Sequence, residues 1–150
     1  MQHLGKQGSE AAQWEKGLGE REGENMTDRE RQNIERVRFW EWAWNQAVDR
    51  MVDECYAPDC VVVNMMTGYT MRGRDELRAI EHAMMNFDGT RRMEITHIVA
   101  SGDVVAIQAD VLWGNVRSKA CAFLTFDEHG MIVVDNSYGQ DPSGASTPRG

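Results

Sequence analysis

Asp135 and Ser137 follow the apolar run Met131–Val134, in a segment that reads as a β-strand. Residues two apart on a strand share a face, so this carboxyl and this hydroxyl would point the same way. A carboxyl group in an apolar cavity has its charged form disfavoured, which moves its pKa towards the range useful for proton transfer at neutral pH. Asp135 is therefore the first candidate for a general acid or base.

The orientation of Asp135 depends on the register of its strand. A slip of one residue at the Gly130 turn would turn Asp135 outwards and place Val134 and Asn136 inside, so both arrangements are open at this point.

Two further residues could act beside Asp135. His97 alternates with apolar residues on an earlier strand and could be a second acid or base, although a lone histidine on an apolar face is more often structural. Asn64 interrupts the apolar run Cys60–Met66. It either binds substrate or satisfies a neighbouring hydroxyl or backbone group.

Short turn signals separate the strands that must position these residues. Ser101-Gly102-Asp103, Gly114-Asn115 and the segment from Asp127 to Gly130 suit hairpin connections. The four predicted strands of this antiparallel meander are Arg92–Ala100, Val104–Trp113, Val116–Phe126 and Met131–Tyr138.

Three helices are predicted before the meander. Thr27 and Glu30 form a capping box at the start of the first helix, the second ends near Pro58, and the third follows Gly73. With a strand from Cys60 and its return strand, the order is α-α-β-β-α-β-β-β-β. This order predicts an α+β fold, a cone-shaped curved antiparallel sheet with three helices packed on its concave face and a cavity between the layers.

The ends of the chain differ from its centre in composition. Residues 1–26 are rich in Gly, Glu and Gln and are expected to be a disordered extension, with Met26 as a possible natural start. Residues 27–141 would form the α+β domain, and residues 142–150 have the composition of a flexible tail.

The overall charge and the cysteine count exclude several classes of function. A net charge of −8 without a run of Lys or Arg argues against nucleic acid and anionic membrane as partners. We expect no metal site, because the three cysteines form no paired motif and the histidines are isolated. We expect no nucleotide cofactor, because the sequence has no glycine-rich phosphate loop. Since no apolar run approaches the roughly 18 residues of a membrane span and no signal core is present, we expect a cytoplasmic protein.

Three motifs carry a resemblance to a known family. Tyr56-Ala57-Pro58-Asp59, Gly73-Arg74-Asp75 and the segment from Phe126 to Ile132 resemble the landmarks of ketosteroid isomerases and SnoaL-like polyketide cyclases, in the nuclear-transport-factor-2-like superfamily. The resemblance extends from Arg38 to about Asp141. The resemblance implies the cone-shaped fold. It does not imply one activity, because the superfamily includes isomerases, cyclases, dehydratases, epoxide hydrolases and non-catalytic binders.

The catalytic residues of these relatives are not repeated here. The resemblance places Trp40 where the isomerases have a tyrosine, Asn64 where they have the aspartate base, and Ala122 where they have a protonated aspartate. The acid/base aspartate of the cyclases aligns with Ser137, on the same face as Asp135. A reaction in this protein would therefore need a different base, for which Asp135 is available.

Strand alternation, with the inward face taken from the resemblance, predicts the lining of the cavity. Asp135 is its one expected carboxylate, because Glu81 and His82 are expected on the solvated face of the third helix. The predicted substrate-binding residues are Trp40, Trp44, Tyr56, Asn64, Ile80, Met84, Ile107, Ala109, Val111, Trp113, Ser118, Ala120, Ala122 and Ser137.

Two kinds of function fit this cavity. One is a cofactor-independent cyclase, isomerase or dehydratase that moves a proton on an apolar, cyclic, carbonyl-containing molecule by means of Asp135. The other is a non-catalytic module for small-molecule binding or dimerisation. A homodimer through the outer sheet face is expected in either case, since relatives commonly pair there and Val104, Ala106 and Leu112 supply apolar area.

Removing residues 1–25 should leave the melting temperature within about 2 °C of the full chain, because a segment without core contacts adds no burial. Differential scanning calorimetry of the two chains measures this directly. A larger fall would show that the extension docks on the domain.

Overall fold

The computed structural model describes residues 25–87 and 90–139. The predicted order of elements is confirmed. The predicted tail lies outside the described residues, as does the predicted extension except for Asn25 and Met26. The elements are α1 (Asp28–Gln46), α2 (Val48–Cys55), β1 (Tyr56–Asn64), β2 (Thr70–Arg72), α3 (Gly73–Phe87), β3 (Arg91–Ser101), β4 (Val104–Trp113), β5 (Val116–Phe126) and β6 (Ile132–Gly139).

Helix α1 begins at the predicted capping box and lies across the sheet. The Thr27 hydroxyl accepts from the Glu30 amide at 3.1 Å, and the Glu30 carboxylate accepts from the Thr27 amide at 2.9 Å. Val37, Trp40 and Ala43 follow at helical spacing and are buried. One apolar stripe of the helix therefore faces the core.

Polar side chains of α1 also bind the exposed backbone of β3. Asn45 donates from Nδ2 to the Met93 carbonyl at 2.8 Å and accepts from the Met93 amide at 2.7 Å. One turn earlier, Glu41 accepts from the Ile95 amide at 2.5 Å. Because β3 is an edge strand, these bonds occupy backbone groups that have no neighbouring strand.

The six strands form a sheet in the order β2-β1-β6-β5-β4-β3. Four of the five pairs are antiparallel, but β1 and β6 run parallel, so the sheet is mixed and the expectation of an entirely antiparallel sheet is wrong at this pair. The physical reason is that β1 and β6 are not joined by a hairpin. A long connection through α3 and four strands separates them, and such a connection permits parallel pairing.

Two β-bulges change which residues face the core. In β3, Ile95 pairs with Ala109 and His97 with Gln108, so Thr96 is the extra residue. In β6, the extra residue is Val133, because Ile132 and Val134 pair with the consecutive residues Phe126 and Thr125. A bulge reverses the alternation beyond it and bends the strand, which helps the sheet to curve around a cavity.

Among the described residues, none of the three helices is long and apolar enough to cross a membrane.

Candidate active site

A cavity of about 530 Å³ lies between α1, α3 and the inner face of the sheet. Most of the predicted lining residues are found there. Those that line it are Trp40, Trp44, Tyr56, Asn64, Ile80, Met84, Ile107, Val111, Trp113, Ser118, Ala120, Ala122, Asp135 and Ser137. The prediction for Ala109 is wrong, because this residue is fully buried and does not line the cavity.

The pairing of β6 with its two neighbours places the polar residues of the cavity together. Asp135 lies beside Val62 of β1 and Leu124 of β5. Two residues further along, Ser137 lies beside Asn64 and Ala122. Because paired residues share a face, the carboxyl, the hydroxyl and the amide converge on the same part of the cavity wall.

The bulge at Val133 determines the orientation of Asp135. Ile132 is fully buried and Asp135 is 3% exposed, although the two are three positions apart and a regular strand would place them on opposite faces. The extra residue between them restores the inward direction at Asp135. Asp135 therefore points inwards, and the slipped register that would have turned it outwards is not adopted.

A chain of hydrogen bonds ends on the Asp135 carboxyl group. Trp40 Nε1 donates to Tyr56 Oη at 2.9 Å, and Tyr56 Oη donates to Asp135 Oδ2 at 2.6 Å. Ser137 Oγ donates to the other oxygen, Oδ1, at 2.5 Å. Both carboxyl oxygens are thus fixed by protein donors, and the carboxyl plane cannot rotate without breaking one of the bonds.

Burial and hydrogen bonding act in opposite directions on Asp135. Desolvation raises its pKa above the ordinary value of an aspartate and outweighs the lowering by the Ser137 and Tyr56 hydroxyls; the negative charge of Glu81 adds to the rise. The pKa of Tyr56 is also raised well above its ordinary value, mainly by desolvation and then by Asp135. Tyr56 therefore stays a hydrogen-bond donor, while Asp135 holds a proton more readily than an ordinary aspartate does.

The oxygen of the Asn64 side chain is held by backbone amides, whereas its nitrogen is free. Its Oδ1 accepts from the backbone amides of Met66 at 3.0 Å and Thr67 at 3.3 Å, which fixes the turn after β1. These two amide donors also settle which end of the side chain is the oxygen. Its Nδ2 has no hydrogen-bond acceptor within the described residues, and Asn64 lines the cavity. Asn64 therefore satisfies backbone groups through its oxygen and still has a nitrogen that could bind substrate, so the two alternatives for this residue do not exclude each other.

His97 does not lie in the cavity, so its predicted position there is wrong. Its side chain is exposed and contacts the Thr96 hydroxyl through Nδ1 at 3.2 Å. The bulge at Thr96 is the cause, since Met93 and Ile95 face inwards before the bulge whereas Ile98, and not His97, does so after it. Regular alternation from Met93 had suggested the opposite.

Glu81 was expected in solvent, but its side chain lines the cavity and forms an ion pair with Arg91, Nη1 to Oε2 at 2.7 Å. The spacing of α3 contained the signal: Glu81 is one turn after the buried Leu77, on the same face as Ile80 and Met84. The expectation of a solvated position followed from the charge of Glu81 and not from its place on the helix. His82 is exposed, as expected, and contacts Asp49.

Other lining residues that the sequence analysis missed are mainly apolar or small. Two of them, Val62 and Met93, follow from strand alternation once the register is known. The missed residues besides Glu81 are Val62, Val63, Met71, Ala83, Met93, Lys119, Cys121, Tyr138 and Gly139.

In the part of the chain that the structure describes, no three His, Cys, Asp or Glu side chains gather in a way that could hold a metal ion.

The family model described as a SnoaL-like domain matches residues 37–134. The chain therefore belongs to the SnoaL-like domain family. This agrees with the resemblance read from the motifs around Tyr56, Gly73 and Asp127. A comparison with curated proteins finds no match.

Solved structures share the fold at low sequence identity. A SnoaL-like polyketide cyclase, so named provisionally, from Jannaschia sp. CCS1 is 14% identical, with a TM-score of 0.70 over 79% of this chain and 92% of that one. A similarly named ketosteroid isomerase from Kribbella flavida is 17% identical, with a TM-score of 0.66 over 80% and 84%. A protein of ketosteroid isomerase-like fold from Catenulispora acidiphila, in complex with trimethylamine, is 22% identical, with a TM-score of 0.61 over 69% and 84%. At these identities the likeness establishes the fold alone.

Replacing Asp135 by Asn should leave the protein at least as stable as the parent at pH 7, because the neutral amide avoids the cost of a buried charge and can still bond to Tyr56 and Ser137. The raised pKa makes the folded parent bind more protons than the unfolded chain, so parent stability falls as pH rises from about 3.9 through the folded-state pKa. The advantage of the variant should therefore grow with pH over this window.

Urea unfolding at several pH values measures this difference. Asp59→Asn, at an exposed residue of β1, is the matched control for loss of one carboxylate. If the free energy of unfolding of Asp135→Asn at pH 7 were lower than that of the parent by more than about 1 kcal/mol, the prediction would be contradicted, because the ionised carboxyl would then stabilise the fold.

Proposed function

We propose that the protein is a cofactor-independent enzyme of the cyclase, isomerase or dehydratase kind, which moves a proton on an apolar, cyclic, carbonyl-containing substrate. The observation that carries the proposal is the buried carboxyl of Asp135 in a largely apolar cavity, held through both oxygens by Tyr56 and Ser137. Membership of the SnoaL-like domain family supports the same class of chemistry.

The proposed reaction starts with Asp135 as the base. Its carboxylate takes a proton from the carbon next to the substrate carbonyl; the C–H bond breaks, an O–H bond forms on Asp135, and the electron pair moves to the carbonyl oxygen. The resulting enolate oxygen accepts a hydrogen bond from Asn64 Nδ2, the donor that the turn after β1 leaves free. Stabilising this charge in a largely apolar cavity would supply a large share of the rate.

The protonated Asp135 then returns its proton, and the destination defines the reaction. Delivery to another carbon gives an isomerase. Attack of the enolate on a second carbonyl of the substrate, with delivery to the new alkoxide, gives a cyclase. Loss of a hydroxyl group from the neighbouring carbon, with delivery to that oxygen, releases water and gives a dehydratase. Each outcome restores the Asp135 carboxylate.

Tyr56 and Trp40 act as positioning residues in this scheme. Tyr56 binds Asp135 and receives the Trp40 indole N–H, so the phenol direction is fixed from both sides. Trp40 stands at the position of the isomerase tyrosine, and Tyr56 brings a hydroxyl group into the cavity from β1 instead. This hydroxyl orients the base, because its proton already points to Asp135.

One observation favours the alternative of a binding module. Asp135 is only 3% exposed, and each of its oxygens already accepts one protein hydrogen bond. A carboxyl fixed in this way could serve only to orient a bound molecule. The two functions differ in whether a proton leaves the ligand, and exchange of ligand protons measures that difference.

The protein should accelerate the exchange of carbon-bound protons of 2-tetralone in heavy water, followed by proton NMR. Asp135→Asn should slow the protein-dependent exchange by roughly 100-fold or more, since the amide cannot accept the proton. Asp59→Asn should keep the parent rate, because its side chain is exposed on β1. Binding of 2-tetralone without accelerated exchange would favour the binding module.

We also propose that two copies of the chain pair through the outer face of the sheet. Val99, Ala106 and Phe123 lie side by side on this face, and Phe123 packs edge-to-face on Tyr138 at 6.2 Å between ring centroids. Val99, Phe123 and Tyr138 are all exposed. An apolar surface of this kind is typical of an interaction site.

The mass from light scattering at micromolar concentration should be that of a dimer, and Phe123→Glu should shift it to the monomer because it places a charge in the apolar patch. Trp42→Glu is the matched control, since Trp42 on α1 and Phe123 are both 44% exposed. A monomeric parent, or equal effects of the two substitutions, would contradict pairing through this face.

A further inference from the structure

Glu81 and Arg91 form a charged pair at a place where the sequence pattern calls for apolar side chains. Glu81 follows Leu77 by one turn on the buried face of α3, and Arg91 begins the inward alternation that Met93 and Ile95 continue in β3. A charge buried alone is costly, so each residue accounts for the presence of the other. Such a pair is weak evidence for stability, because apolar residues of similar size often serve a core equally well.

The two members of the pair are not equally accessible. The Arg91 side chain is 2% exposed and that of Glu81 is 13% exposed, and only Glu81 lines the cavity. Arg91 is therefore a buried counter-ion that does not line the cavity, and Glu81 is the member of the pair that a ligand in the cavity can contact.

Aromatic residues hold Arg91 in place. Its guanidinium lies 3.7 Å from the centroid of the Trp44 ring, and its Nη2 donates to the Trp44 carbonyl at 3.3 Å. The ring of Trp113 stands edge-on to that of Trp44, and its centroid lies 5.7 Å from the guanidinium. An arginine held by stacking and by its backbone bond cannot turn away from Glu81 when a ligand enters.

The hydrogen-bonding capacity of the pair is only partly used. Arg91 Nη1 and Glu81 Oε2 are close enough for an ion pair, but their alignment is not that of a hydrogen bond, so the contact is ionic. Within the described residues, neither of these two atoms nor Arg91 Nε has a hydrogen-bond partner. Oε2 is buried beside Arg91, whereas the other oxygen of Glu81, Oε1, is not buried and has no hydrogen-bond partner among the described residues, so it retains acceptor capacity.

The charges around the cavity indicate what kind of donor Glu81 would accept from. The charge of Glu81 is already balanced by Arg91, and the ammonium group of Lys119 is exposed and paired with Asp110. A cationic ligand group at Glu81 would therefore be repelled by the guanidinium of Arg91, whereas a neutral hydroxyl group would not.

We propose that Glu81 is a second polar anchor of the cavity and accepts a hydrogen bond from a hydroxyl group of a neutral substrate. This proposal rests on the proposed function and adds a substrate class to it, a cyclic hydroxyketone. The carbonyl end lies at Asp135 and Asn64, and the hydroxyl end lies at Glu81 between α3 and Trp113. A ketone without the hydroxyl group would desolvate the Glu81 carboxylate without supplying a hydrogen-bond donor to it, so the cavity selects against such a ketone.

Two matched pairs of probes test this inference by calorimetric titration: 2-tetralone with 6-hydroxy-2-tetralone, and cyclohexanone with 4-hydroxycyclohexanone. The parent protein should bind the hydroxylated member of at least one pair about tenfold more tightly, the order expected for a hydrogen bond to a charged group. The double variant Glu81→Met/Arg91→Met removes both charges and keeps the side-chain length. It should bind both members of that pair within about threefold of each other.

The control is Arg92→Met/Glu94→Met, which removes one charge of each sign from exposed positions of the same strand and should retain the tenfold preference. If the Glu81 and Arg91 double variant does not fold, Glu81→Gln serves in its place and should reduce the preference by at least threefold. Equal binding of both members of both pairs by the parent, or a preference that survives removal of Glu81, overturns the proposal.

The proton-exchange assay distinguishes this failure from failure of the proposed function. Exchange of 2-tetralone that depends on Asp135, without any preference for hydroxylated probes, overturns only the role of Glu81. Absence of binding by all four probes also overturns the role of Glu81, and absence of exchange together with it overturns the proposed enzyme as well.

Discussion

The burial of the Asp135 carboxyl group is the constraint on which the site depends. A carboxyl removed from water is costly unless it is bonded or protonated, and this protein bonds both oxygens while leaving the pKa raised. Tyr56 is held by Trp40, which connects the carboxyl on β6 through β1 to helix α1. Three of the elements that line the cavity therefore meet at one group, and a shift of any of them would alter the proton affinity of that group.

The sequence predicted the parts of this arrangement that follow from local rules. Turn residues and apolar runs were enough to place β4 and β5 at their observed bounds. Spacing on the predicted strands, together with the inward face that the family resemblance implied, placed Ala122 and Ser137 on the wall of the cavity. The inward direction of Asp135 was also predicted, from regular alternation along the strand. In the structure, however, regular alternation is not what turns the side chain inwards. The bulge at Val133 sets that direction, and nothing in the apolar run Met131–Val134 marks one residue as extra.

The errors have the same physical origin. His97 was assigned to the cavity because the bulge at Thr96 left no trace in the sequence. The sheet was expected to be antiparallel because the pairing of distant segments, such as β1 and β6, depends on the whole chain and could not be read locally. Glu81 was an error of a different kind. Its helical position was readable, but its inward orientation became credible only with its partner Arg91, which lies on another element. A charged residue on a buried face is thus best read together with every opposite charge that could reach it.

The side chains of Glu41 and Asn45 have a consequence beyond the cavity. By binding the amides of Ile95 and Met93, they occupy the open side of the first half of β3 as a neighbouring strand would, so this part of the border offers no template for another β-strand. The opposite border is β2, which is only three residues long. One border is thus covered over its first half and the other is short, which limits strand addition at both and reduces the tendency of the folded chain to grow into extended β-aggregates.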